Sequence, residues 1–156
     1  MNKTFLKTID MNSDFTYDQI PFTFVYCLYS QCPKAADCLR HKLLALVPQE
    51  RTVIGTINPV HIAAHQDKCL HFMPDRTVRF AMGITHLLDK LPHSEAVIVK
   101  NLLYGLFQRN MYYRIKNKEP SIKPSEQESI RQIFLSRGIT DEPVFDEYIE
   151  QYNWDD

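Results

Sequence analysis

Four cysteines, and no others, fall between residues 27 and 69, and they constrain this chain more than any other feature. Cys27, Cys32 and Cys38 share one span of twelve residues, and Cys69 follows after a gap of thirty. Zinc held by thiolates takes four sulfur or nitrogen ligands at tetrahedral corners, usually in pairs drawn from tight turns. The four residues between Cys27 and Cys32 suit such a turn, and the five between Cys32 and Cys38 make a looser one. A metal held here would tie a strand, a helix and a downstream loop together. His41 follows Cys38 by three residues, and His61 and His65 precede Cys69 at helical spacing. A mixed Cys/His set therefore stays open beside the four-cysteine set, and so does an iron–sulfur cluster. The competing reading is four buried thiols with no ligand, because free cysteine is among the most buried residue types.

The compartment bears on that choice. The opening MNKTFLKTIDMNSDF has no continuous apolar core of the kind a signal peptide carries. No apolar run is long enough to span a bilayer. The expectation is a cytoplasmic protein with reduced thiols. A length of 156 residues suits one domain over 1–156, with a partly flexible lead-in at 1–20 and any seam near Pro74. Four glycines leave little room for Gly-rich phosphate loops. The P-loop, the dinucleotide fingerprint, the GxSxG elbow and HExxH are all missing. A cysteine nucleophile with a distant histidine remains as an enzyme reading, with Cys32 its candidate.

Along the chain, Phe22–Tyr29 (FTFVYCLY) and Thr52–Ile57 (TVIGTI) read as strands. Pro33 suits the first turn of a helix that runs to about Val47, with Cys32 near its N-cap. A helix over His61–Cys69 would stack His61, His65 and Cys69 on one face, and a loop there would not. Val78, Ala81, Met82, Ile84, Leu87, Leu88 and Leu91 form an apolar stripe that reads as a helix ending at Pro92. Ser94 is the expected N-cap of the next helix, with Val99, Leu102, Leu103 and Leu106 on its buried face. Pro124-Ser125 opens a helix carrying Ile130, Ile133 and Phe134, with Gly138 expected at C′ and Ile139 beyond it. Val144, Phe145, Tyr148, Ile149 and Tyr152 stand at helical spacing. The fold class expected is α+β, mainly helical, with a small N-terminal strand layer bearing the cysteines.

The net charge is −1, so there is no global bias toward nucleic acid. Locally, Arg109, Tyr112, Tyr113, Arg114, Lys116, Lys118 and Lys123 interleave cations with rings. Such a mixture can follow a phosphate backbone while rings stack on bases. A hairpin over 111–123 would resemble the wing of a winged-helix domain. The bland alternative is a solvated edge that balances the seven acids of residues 141–156.

The phrase Cys27–Arg40 (CLYSQCPKAADCLR) resembles a family of small, uncharacterised proteins of Bacteroidales-type bacteria, grouped as a domain of unknown function and marked by a CPKAxxCLR-type motif. Asn58-Pro59, Cys69 with Phe72, RFAMG at Arg79–Gly83, Tyr112-Tyr113-Arg114, PSEQ at Pro124–Gln127 and Phe145–Trp154 carry the same resemblance from about Tyr26 onward. It implies Cys27, Cys32, Cys38 and Cys69 as the family-like cysteines. His61 and His65 lie outside the pattern. Where the pattern has an Arg-Lys-Gly-type turn, this chain has Lys116-Asn117-Lys118. The resemblance adds no cofactor and no substrate.

The functional expectation is a non-enzymatic binding or regulatory module with a structural zinc site. The partner expected is a protein or a nucleic acid, not a membrane. The alternatives are a thiol-dependent enzyme or redox protein using Cys32, and a nucleic-acid binder using the Arg109–Lys123 edge.

Overall fold

Residues 15–65 and 68–155 are described by the computed structural model. The chain is α+β and divides into two compact units. The first comprises Met1–Arg76 with Trp154–Asp156, and the second Thr77–Asn153. Most of the expected 1–20 lead-in lies outside the described residues; Tyr17–Gln19 form a single 3-10 turn.

In the first unit, β1 (Val25–Tyr26) pairs in parallel with β2 (Gly55–Thr56), a shorter sheet than the two apolar runs suggest. The long helix expected from Pro33 is broken. Ala35–Asp37 form a 3-10 turn, and Cys38 then takes up an extended conformation (φ −98, ψ 117). Helix α1 (Leu39–Lys42) starts after it and tightens into 3-10 geometry over Leu43–Leu46. The break has a tertiary cause, because Cys38 forms an antiparallel bridge with Pro74. Leu39 N–H donates to the Met73 carbonyl (2.7 Å), and Asp75 N–H to that of Asp37 (3.0 Å). Helix α2 (Pro59–Ala64) is capped by the Asn58 side chain and stops short of Cys69. Leu39, Leu43, Ile62 and Met73 are buried here. The Trp154 ring packs edge-on against Phe24 (centroids 5.4 Å apart) and tilted against Phe15 (6.1 Å).

In the second unit, Val78–Met82 is strand β3 and Glu147–Gln151 is strand β4, paired antiparallel from Val78↔Gln151 to Met82↔Glu147. Both segments are corrections, since each reads as a helix locally. Ile122 adds a reciprocal backbone pair to Ala81 on the other side of β3. Helix α3 (His93–Phe107) enters through Pro92, not Ser94. Its buried face is Val99, Leu103 and Phe107, and Leu102 and Leu106 are exposed. Gln108 turns the chain with φ 64, and helix α4 (Arg109–Lys116) follows. Helix α5 (Pro124–Ser136) ends as its sequence predicts. Gly138 (φ 72) donates to Leu135 O and Ile139 to Phe134 O, the paired bonds of a Schellman cap. The core joins β3, α3, α4 and α5 through Ala81, Val99, Leu103, Ile115, Ile122 and Ile130.

Asp146 anchors the turns after β3. Its carboxylate accepts the N–H groups of Thr85 and His86 and the Thr85 hydroxyl. Burial alone would raise its pKa, but the Thr85 and His86 hydrogen bonds outweigh that and hold it below the ordinary value. A group depressed in the folded state contributes stability above its unfolded pKa, and that stability is lost as the pH falls through the folded one. Acid titration of the second unit should therefore show a loss beginning near the ordinary carboxylate range, at about pH 4. Asp146→Asn should flatten it, and superimposable wild-type and variant curves would exclude Asp146 as a source.

Candidate functional site

The four cysteines arrive from different local structures. Cys27 directly follows β1, Cys32 lies in the turn before the 3-10 segment, Cys38 is the extended residue ahead of α1, and Cys69 stands in the loop beyond α2. All four line one small cavity of the first unit, together with His41 and His71. Its remaining walls include Tyr29, Ile57, Ile62 and Phe72. The cavity measures about 10 Å3, close to the volume one water-sized sphere requires. Cys27 and Cys38 are buried, and Cys32 and Cys69 are half-buried. All four thiols are free.

Backbone bonds and one arginine hold these segments together. Cys27 N–H donates to the Arg40 carbonyl (3.0 Å), and the Cys38 carbonyl accepts from His41 and Lys42. The Arg40 guanidinium donates to Val25 O (2.9 Å) and His71 O (3.0 Å), clamping β1 to the loop that carries Cys69. Lys42 pairs with Asp75 across the Cys38–Pro74 bridge. His41 Nδ1 lies 3.0 Å from the Cys27 carbonyl. A carbonyl only accepts, so Nδ1 carries the proton, and the neutral ring keeps its lone pair on Nε2. Such a backbone bond is how metal-bound histidines are commonly oriented.

The donors fit a soft, four-coordinate metal by their chemistry. They are not yet gathered around one point: among the described residues, no group of three or more His, Cys, Asp or Glu side chains is arranged to hold a metal ion. Binding one would require these donors to draw closer together. A space of this size suits a single ion better than an iron–sulfur cluster.

Cys32 does not cap a helix. The short 3-10 turn after it has Lys34 at its N-cap position, and the long helix expected to favour its thiolate is absent. That removes the helix-end argument for a Cys32 thiolate, while the cavity does bring Cys32 into one lining with His41 and His71. His61 and His65 stack on each other (centroids 4.4 Å) outside the cavity lining, and Cys69 does not share their helix. His71 also lines the cavity, where the spacing of the cysteines does not point to it. Its one local signal is its place two residues after Cys69.

The basic edge is not a hairpin, so the wing-like reading fails. Tyr112 is buried in α4, and Tyr113 is exposed on it. Arg114 pairs with Glu119, and Lys118 with Glu147 of the acidic segment. Lys123 precedes α5, its N–H donating to Glu126 (2.8 Å). Arg109 and Lys116 remain exposed at the two ends of α4. Among the described residues, no helix is long and apolar enough to cross a membrane.

Comparison with protein families matches residues 11–154 to a family of unknown function (DUF6078). No curated protein and no solved structure matches the chain.

Proposed function

This chain belongs to the family of unknown function (DUF6078), and on that premise we propose that it acts as a non-enzymatic binding or regulatory module whose first unit is closed by one zinc ion on Cys27, Cys32, Cys38 and Cys69. The observation that carries this reading is the convergence of the chain's four cysteines, from four separate segments, on a cavity of about 10 Å3. Packing alone gives no reason for every thiol in the chain to line one cavity. A thiolate metal site does, because zinc–sulfur bonds of about 2.3 Å need four sulfurs around a common centre. His41 supports the set by holding the Cys27 backbone.

The reading places the protein in a reducing compartment such as the cytoplasm, where thiolates are not lost to disulfides. It assigns the CPKAxxCLR-type motif at Cys32–Arg40, and the Bacteroidales-type origin of the resemblance, to the same proposal. The partner in this reading is a protein or a nucleic acid, bound by a single-domain chain whose zinc serves the fold.

Elemental analysis with a thiol count tests it, on protein purified without chelator or a metal-affinity column. The expected result is about one zinc per chain, with thiols that react slowly until chelator is added. Metal-free protein with four freely reacting thiols would overturn the proposal.

A further inference from the structure

In the second unit, two cations stand where no carboxylate answers them. The Lys100 ammonium lies 5.8 Å from the ring centroids of both Tyr104 and Tyr113. The Arg109 guanidinium lies 6.0 Å from the same Tyr104 ring. Among the described residues, neither forms an ion pair with an acid, whereas Arg114, Lys118, Arg131 and Arg137 each do. Arg109 also opens α4, and the first turn of that helix holds no acidic residue. A helix start disfavours a cation, but Arg109 also stands two residues past the C-terminal end of α3, whose negative end favours one, and α3 has no basic residue of its own in its last turn.

The two phenols between the cations are hydrogen-bonded to each other, Oη to Oη at 3.0 Å. One proton serves that bond, which leaves the other for an outside acceptor. The Tyr113 phenol is held below its usual pKa first by the Tyr104 bond and then by Lys100 and Arg109, as expected in a positive field without a counter-ion. Tyr112 backs the cluster from the core, with Tyr104 edge-on at 5.0 Å.

We propose that Lys100, Arg109 and the Tyr104–Tyr113 hydroxyl pair form a binding site for the phosphate group of a nucleotide or of single-stranded nucleic acid. Two cations and a donor hydroxyl meet the oxyanion, and the exposed Tyr113 ring offers a face to an attached base.

The test uses the full chain and two probes, a fluorescein-labelled single-stranded oligothymidylate followed by anisotropy and pyrophosphate added as a competitor and titrated by calorimetry. Lys100→Gln combined with Arg109→Gln should weaken either probe at least about tenfold. It should also lower the salt slope for the oligonucleotide by about 1.4, at about 0.7 per phosphate contact. Lys118→Gln, whose parent side chain is already paired with Glu147, should bind as wild type. Far-UV circular dichroism checks that each variant is folded. Pyrophosphate binding without the oligonucleotide would assign the site to a small phosphorylated ligand, and oligonucleotide binding without competition would assign it to a strand backbone. Either supports the site if the double variant abolishes it. Failure of both probes at low salt, or undiminished binding by the folded double variant, would overturn it.

Discussion

With the proposed zinc site, Cys38→Ser should release the ion and lower the stability of the first unit by several kcal/mol, on the order of 3 or more. The substitution is informative because its effect without a metal has the opposite tendency. Cys38 is the residue before α1, where serine is among the best caps. A metal-free protein would find the change close to neutral, or up to about 1 kcal/mol favourable from the cap. Trp154 makes the measurement specific. It is the only tryptophan in the chain, and it packs on Phe24 within the first unit. Its fluorescence during denaturation therefore reports this unit, while circular dichroism follows both. An unchanged transition with full zinc content would remove Cys38 from the ligand set.

Gly83→Ala should destabilise the second unit by about 2–4 kcal/mol. Gly83 has φ 77, where an L residue carries strain of about 1–2 kcal/mol. A Cβ there would also collide with Asp146 Oδ2 and lie 2.9 Å from Lys118 Cγ. The carboxylate cannot move away freely, because it holds Thr85 and His86. Gly138 is the internal comparison: its φ is 72, and nothing lies within 4 Å of its added Cβ. Gly138→Ala should cost the backbone strain alone. Equal losses in urea denaturation would show that the Asp146 contact carries no weight.

Both substitutions lie where local sequence and tertiary pairing disagree. The α3 and α5 helices are legible because their apolar spacing and caps are local, and the Gly138–Ile139 ending is legible to the residue. Val78–Leu91 and Val144–Tyr152 mislead for a related reason. Their apolar spacing suits a helix, but Val78–Met82 and Glu147–Gln151 find each other as strand partners across more than sixty residues. No window of ordinary length contains that pairing. The Pro33–Val47 helix fails through Cys38, whose extended backbone is set by Pro74.

The candidate sites divide in the same way. The cysteine cluster is visible as composition, but its common cavity depends on Arg40 reaching both Val25 and His71. The basic edge is visible as a charge run, yet Arg114 and Lys118 are taken up by Glu119 and Glu147. Lys100 and Tyr104 come to it from α3, and no sequence spacing links them to α4.

The return of Trp154 to the first unit has a consequence for synthesis. The first unit is interrupted by Thr77–Asn153, and β3 of the second waits for β4. A nascent chain therefore lacks the Trp154 packing on Phe24 and the β4 partner of β3 until residues 147–154 emerge. At about 5–20 residues per second, the interval from Cys69 to Trp154 lasts roughly 4–17 seconds. During that interval the first unit stands without its Trp154 packing and β3 without β4, whereas every residue lining the cysteine cavity, from Cys27 to Phe72, has already been made.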